Sequence, residues 1–157
     1  MPDRPAVLFV CLGNICRSPL AEAAMRAEAS RAGLDLLVDS AGTGHWHVGK
    51  APDRRAQAVA ARNGVDISGY RARQVVREDF SHFTHVVALD HDNLARLLAL
   101  RPAGAGAEVS LLLDHVPGRA GEAVADPYYG EAAGFDTTWA DVTAGARGLV
   151  ARLTGAS

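Results

Sequence analysis

Apolar residues fall into short runs separated by glycine, proline and charge. Ala6–Val10 (AVLFV) is a continuous apolar run with β-branched members, the pattern of a strand covered on both faces. Ser18 followed by Pro19 reads as a helix N-cap with proline at the first helical position. The alanine-rich stretch to Ala32 places Leu20, Ala24 and Met25 on one face and Glu22 and Arg26 elsewhere, and Gly33 ends it. Leu34–Ser40 predicts a second strand, Ala41–Lys50 a glycine-punctuated loop, and Pro52–Asn63 a helix stopped by Gly64. Residues 66–80 are mixed, with Arg71, Arg73 and Arg77 on a loop and short helix. His85–Leu89 predicts a third strand and Asp90–Leu100 a helix with Leu94, Leu97 and Leu98 at helical spacing, closed off by Pro102. Val109–Leu113 predicts the fourth strand, residues 114–133 a long polar loop of the kind that carries function, and Phe135–Leu153 a closing helix weakened by Gly145 and Gly148. Strands alternating with helices give a four-stranded, mostly parallel sheet flanked by helices.

Size and charge narrow the class. A chain of 157 residues predicts one domain, 1–157, and can bury roughly 70% of its unfolded surface without disulfide staples. The formal net charge of −2 argues against nucleic acid as a partner. No apolar run approaches the roughly 18 residues of a membrane span, and the N-terminus lacks a signal-peptide core. A cytoplasmic protein is expected, with signal-peptide-independent export left open. All but one of the 16 basic residues are arginine, so an arginine is informative only where its position is special. Two cysteines, Cys11 and Cys16, are too few for a four-cysteine zinc site, and the histidine pairs His45/His47 and His82/His85 lack a matching acidic cluster. Neither metal nor cofactor is expected.

The chemistry lies where the first strand meets the first helix. Cys11 ends the strand, Arg17 and Ser18 open the helix, and Leu12, Gly13, Asn14, Ile15 and Cys16 lie between. A loop there can turn its backbone N–H groups around an anion at a helix N-terminus, with Gly13 and Asn14 tolerating the positive φ of such a nest. The dipole, the N–H groups and Arg17 favour thiolate over thiol at Cys11, and the Ser18 hydroxyl is placed to donate to the sulfur. Arg17 offers a planar fork for two phosphoryl oxygens.

The stretch Cys11–Pro19 (CLGNICRSP) resembles the signature of the low molecular weight protein tyrosine phosphatases, and Asp126–Gly130 (DPYYG) resembles their general-acid loop. Ser40–Thr43, Trp46–Gly49, Ala72–Val75 and Ala88–Asp90 are similar to further family segments in the same order. The resemblance implies a three-layer α/β/α fold with strand order 2-1-3-4. It implies hydrolysis of phosphotyrosine in protein substrates, releasing inorganic phosphate, with Cys11 as nucleophile, Arg17 as phosphate clamp and Asp126 as general acid and base. Leu12, Gly13, Asn14, Ile15, Cys16 and Ser18 would line the phosphate site. Tyr128 and Tyr129, surrounded by acidic and glycine residues, are expected to be exposed and would wall a phenyl ring, and Trp46 is either a further wall or a partly buried packing residue. Asn14, Ser18 and Ser40 would support the loop. A monomer is implied. Cys16 is either a redox partner for Cys11 or a small buried side chain behind the loop. A family histidine before Ala72-Arg73-Gln74 is replaced by Tyr70 or Arg71. Two alternatives on the same fold are a phosphocysteine carrier, which needs neither Asp126 nor the aromatic rim, and an arsenate reductase-like protein, which needs further cysteines. Phosphoarginine phosphatases of the family carry threonine where Ile15 stands, so Ile15 implies an aryl phosphate.

Overall fold

A computed structural model describes residues 4–155. Strand β1 (Ala6–Cys11) is flanked by β2 (Leu37–Gly42) and β3 (His85–Ala88), and β4 (Glu108–Leu111) lies outside β3, all parallel, in the order β2-β1-β3-β4. Helices α1 (Arg17–Ala32), α2 (Arg54–Arg62), α3 (Asp79–His82), α4 (His91–Leu100) and α5 (Ala133–Leu153) cover its faces. Every residue of β1 is buried. Alternate side chains serve two cores: Val7, Phe9 and Cys11 pack with α1, α2 and α5, while Ala6, Leu8 and Val10 pack with Phe80 of α3 and Leu97 of α4. That division explains why the run is uniformly apolar rather than alternating.

The elements differ from the sequence expectation where a side chain or cap intervenes. Gly33 takes a left-handed conformation (φ 68°), and the Leu34 N–H then bonds back to the Ala29 carbonyl. That cap consumes Leu34, so β2 starts at Leu37 and runs through Gly42 rather than ending at Ser40. Asp53 caps α2 by accepting from the Arg55 N–H, which starts that helix at Arg54 rather than Pro52. Leu98 is 53% exposed and does not share the buried face of Leu97. Strand β4 stops at Leu111 because Asp114 accepts from the Leu111 and Gly121 N–H groups, turning Leu112–His115 into a 3₁₀ turn.

Gly145 and Gly148 let that turn approach α5. A Cβ on Gly145 would lie 2.4 Å from the Leu112 side chain, and one on Gly148 would lie 1.9 Å from the His115 carbonyl oxygen. The helix gives up propensity at two positions in exchange for contact with the chain leaving β4.

Candidate active site

The C-terminal ends of β1 and β3 deliver the parts of the site, as open parallel sheets do. Cys11 is the last residue of β1 and is 3% exposed. Its sulfur lies 3.0 Å from Ser18 Oγ and accepts from the Asn14 N–H at 3.3 Å. Helix α1 starts at Arg17 with Cys16 in the capping position and no side-chain cap, so Ser18 is not the N-cap the sequence suggested. Its hydroxyl is committed to the sulfur and to Asn14, which leaves the helix N-terminus without a side-chain acceptor of its own.

Asn14 has φ 58°, the one non-glycine residue with positive φ among those described. Its side chain fastens the loop from behind: Nδ2 donates to Ser18 Oγ (2.8 Å) and Ser40 Oγ (3.0 Å), and Oδ1 accepts from the Arg73 N–H (3.0 Å). Gly13 does not share that positive φ. Its missing side chain serves space instead, since a Cβ there would meet the His47 ring at 2.9 Å. Gly42 plays a similar part below the loop, where a Cβ would come within 2.8 Å of the Leu12 carbonyl oxygen.

Arg17 is 3% exposed. Its Nη1 donates to Asp90 Oδ2 (2.7 Å) and the Val124 carbonyl (2.9 Å), and its Nη2 lies 3.5 Å from Asp126 Oδ2. Burial opposes its charge, but the neighbouring Cys11, Asp90 and Asp126 outweigh that and raise its pKa. Asp126 is 41% exposed and its Oδ1 accepts from the Tyr128 N–H. The loop carrying it is tied down along its length. The Val124 N–H bonds to the Leu89 carbonyl, His91 Nε2 donates to the Gly121 carbonyl, and Arg55 donates to the Tyr128 and Gly130 carbonyls.

These groups surround a cavity of about 390 Å³. Cys11, Leu12, Gly13, Ile15, Cys16 and Arg17 form its base, and Trp46, His47, Asp126, Tyr128 and Tyr129 its rim. Asn14, Ser18 and Ser40 do not line it; they stand behind the loop. Trp46 and Tyr129 are 61% and 95% exposed, while Tyr128 is half-buried, its ring 4.8 Å from that of Tyr129 and its face 5.8 Å from the Arg55 guanidinium. Tyr128 thus departs from the exposed position expected, because Arg55 pins its backbone and ring together. Both cysteines are free. Burial first, then the negative charge of Asp53, Cys11 and Asp126, pushes the Cys16 thiol far up, so it stays protonated at neutral pH. Among the described residues no three His, Cys, Asp or Glu side chains converge as metal ligands would.

Four contributors escaped the sequence reading. Asp90 both caps α4, accepting from the Asn93 N–H, and holds Arg17. Glu22, expected away from the buried face, is 5% exposed and accepts from Ser40 Oγ at 2.8 Å, with Arg26 on its other oxygen. The backbone N–H of Arg73 reaches Asn14. His47 joins the rim. Tyr70 and Arg71 lie beside Glu22, Arg26 and Ser40, so the network behind Asn14 ends on a glutamate–arginine pair in place of the missing histidine. The one sequence signal for Glu22 was its place one turn after Ser18 on the same helix face.

The model of the family described as low molecular weight phosphotyrosine protein phosphatase matches residues 6–156. A low molecular weight protein-tyrosine-phosphatase of Streptomyces coelicolor is 47% identical over 152 residues, covering 94% of this chain and 92% of the relative. The crystal structure of a protein tyrosine phosphatase from Entamoeba histolytica, with Hepes in its active site, superposes with a TM-score of 0.91 at 34% identity, covering 96% of this chain and 97% of that one. YfkJ from Bacillus subtilis superposes with a TM-score of 0.90 at 36% identity, covering 98% and 97%. With its four-stranded parallel sheet in the shared order and its cysteine and arginine at the expected ends of one loop, this chain belongs to the low molecular weight protein-tyrosine phosphatase family.

Proposed function

We propose that this protein hydrolyses phosphotyrosine in protein substrates through a phosphocysteine intermediate. The Cys11 thiolate attacks phosphorus, and the phosphorus–oxygen bond to the phenolate breaks. Asp126 gives its proton to that leaving oxygen. In the second step ionised Asp126 takes a proton from water, which attacks phosphorus; the sulfur–phosphorus bond breaks and inorganic phosphate leaves. Arg17 and the loop N–H groups hold the equatorial oxygens in both steps. The Ser18 hydroxyl donates to the sulfur as it departs. Asn14 and Ser40 keep the loop in shape, and Trp46, Tyr128 and Tyr129 flank the phenyl ring. All of these groups come from one chain, which fits a monomer.

The observation that carries this reading is the Cys11 sulfur held by Ser18 and the Asn14 N–H at the base of a cavity whose rim holds Asp126. Rim placement of Asp126, Tyr128 and Tyr129 favours hydrolysis over a phosphocysteine carrier. The test is steady-state turnover of p-nitrophenyl phosphate and a phosphotyrosyl peptide. Cys11→Ser abolishes both, and Asp126→Asn on a rapid-quench timescale leaves phosphocysteine formation too slow to see. Undiminished turnover by Cys11→Ser would sink the proposal.

Redox control at the same site is part of the reading. Peroxide oxidises the Cys11 thiolate to a sulfenic acid, which removes the Cys11 negative charge that helps keep the Cys16 thiol protonated; Cys16 then gives up its proton as it attacks the sulfenic sulfur, that proton and the sulfenic oxygen leave as water, and a disulfide forms that a thiol reductant reopens. Its support is that both cysteines are free and line one cavity.

A further inference from the structure

Arg55, the second residue of α2, does more than pair with its neighbour Asp53. A partly exposed arginine two residues from an aspartate is ordinarily a weak ion pair. Here the guanidinium makes four hydrogen bonds to two separate segments. Toward Asp53 it is bidentate, Nε donating to Oδ1 and Nη2 to Oδ2, each at 3.0 Å. Its other donors cross to the loop that carries Asp126. There Nη2 donates to the Tyr128 carbonyl at 2.9 Å and Nη1 to the Gly130 carbonyl at 3.2 Å. The same group lies 4.6 Å from the centre of the Phe135 ring and 5.8 Å from that of Tyr128. Phe135 is buried, so the guanidinium rests on the core.

Both ends of this bridge reach the reaction site. On one side, the Asp53 N–H donates to the Ile15 carbonyl of the phosphate loop at 2.8 Å. On the other, the Tyr128 N–H donates to Asp126 Oδ1 at 3.1 Å. The residue whose carbonyl Arg55 holds is therefore the residue whose N–H aims the Asp126 carboxyl. The second carboxyl oxygen, Oδ2, faces Arg17 at 3.5 Å. Residues 127–130 form a turn closed by the Gly130 N–H on the Pro127 carbonyl, and Arg55 grips that turn at two carbonyls. One contact would let the Tyr128 peptide pivot; two contacts from a planar fork hold its direction.

We propose that Arg55 is a positioning residue for the general acid: through the Tyr128 peptide it fixes the Asp126 carboxyl relative to the phosphate loop, to which Asp53 ties it. The inference rests on the phosphatase reading above and adds the residue that places its acid. Arg55 does not line the catalytic cavity, so it acts through Asp126 rather than on the reacting atoms. Its side chain can be removed without removing the start of α2, because Asp53 caps that helix through the Arg55 backbone N–H, which any non-proline residue supplies.

The test is a double-mutant cycle in the full chain, read as kcat/KM on two esters. Phenyl phosphate has a leaving group that must be protonated; dinitrophenyl phosphate has one that departs without a proton. Arg55→Ala is expected to lower the phenyl phosphate value by about tenfold, less than the about 10²-fold that a misplacement of about 1 Å can cost, because Val124 and Gly121 still hold the loop. On dinitrophenyl phosphate the loss stays within about threefold. In the Asp126→Asn background, removing Arg55 changes the phenyl phosphate value by no more than about threefold, since the group it positions is already gone. A general weakening of the fold would instead lower both esters in both backgrounds. Where Arg55→Ala does not fold, Arg55→Lys takes its place, keeping the stem and the charge without the fork that spans two carbonyls. Equal losses on the two esters, or the same loss with and without the Asp126 carboxyl, overturns the inference while the phosphatase reading stands. Failure of the unaltered enzyme to hydrolyse either ester overturns that reading instead.

Discussion

Replacing Asn14 separates two contributions that the loop combines. Its side chain makes three buried hydrogen bonds, to Ser18, to Ser40 and from the Arg73 N–H. At about 0.5–1.5 kcal/mol each, their loss costs about 1.5–4.5 kcal/mol in either Asn14→Gly or Asn14→Ala. The backbone contribution differs between the two. At φ 58° a Cβ costs about 1–2 kcal/mol that glycine escapes. Alanine recovers about 0.4–1 kcal/mol through its less disordered unfolded chain. Asn14→Ala is therefore expected to be less stable than Asn14→Gly by about 0.5–1 kcal/mol in urea unfolding. Both variants release Ser18 from its position beside the sulfur, and a displacement of about 1 Å at a reacting group can cost about 10²-fold in rate. A drop of that order in kcat on p-nitrophenyl phosphate is expected for both. Alanine matching or exceeding glycine in stability would refute the strain argument, and wild-type kcat in either variant would refute the supporting role of the network.

Asp126→Asn should lower kcat by about 10²–10⁴-fold while vanadate inhibition shifts only a few-fold, because the lost proton donor matters to the leaving group rather than to the bound oxyanion; a kcat within threefold of wild type removes Asp126 from the mechanism. Asp90→Asn leaves the buried Arg17 short of its nearest carboxylate, and a loss of about 2–3 kcal/mol is expected. Added phosphate should raise the melting temperature of that variant more than that of the wild type, and calorimetry with and without phosphate checks it. Burial holds the Glu22 carboxyl above its ordinary value near 4.5. The folded state therefore binds that proton more tightly than the unfolded state, so the stability Glu22 contributes is present below pH 4.5 and is lost as pH rises through its higher folded value. Urea titrations from pH 4 to 7 should show Glu22→Gln losing less stability over this window than the wild type, and parallel curves would contradict it. Gly148→Ala drives a Cβ into the His115 carbonyl and should cost about 2–3 kcal/mol, whereas Gly106→Ala, with open space around it, should stay within about 0.5 kcal/mol by thermal melting.

The order of elements was readable because the central strands β1 and β3 are short apolar runs and the helices between strands end at cap or turn residues. Gly33 and Asp90 mark helix ends by their own chemistry, and the structure uses both as such. The Cys11–Ser18 segment was legible for a related reason: a thiol, an arginine and a hydroxyl between strand and helix have few other uses. What was not legible depends on contacts distant in sequence. Ser18 looked like a cap because serine before proline caps helices in isolation, and only the neighbouring sulfur and Asn14 divert it. Glu22 looked solvent-facing because burying a carboxylate is costly. Ser40 and Arg26, 18 and 4 residues away, are what offset the cost. Asp90 read only as the first residue of a helix, because the arginine it holds is 73 residues earlier, and Gly145 and Gly148 read as helix weaknesses because the turn they admit is more than 30 residues earlier.

The phosphate loop keeps two sets of residues apart. Asn14, Ser18, Ser40 and Glu22 hold it from the rear, whereas Trp46, His47, Tyr128 and Tyr129 surround its mouth from two separate connecting segments. Selectivity can therefore drift by exchange of mouth residues without disturbing the reacting sulfur, and descendants of one ancestral catalyst can diverge in clientele while their chemistry stays fixed.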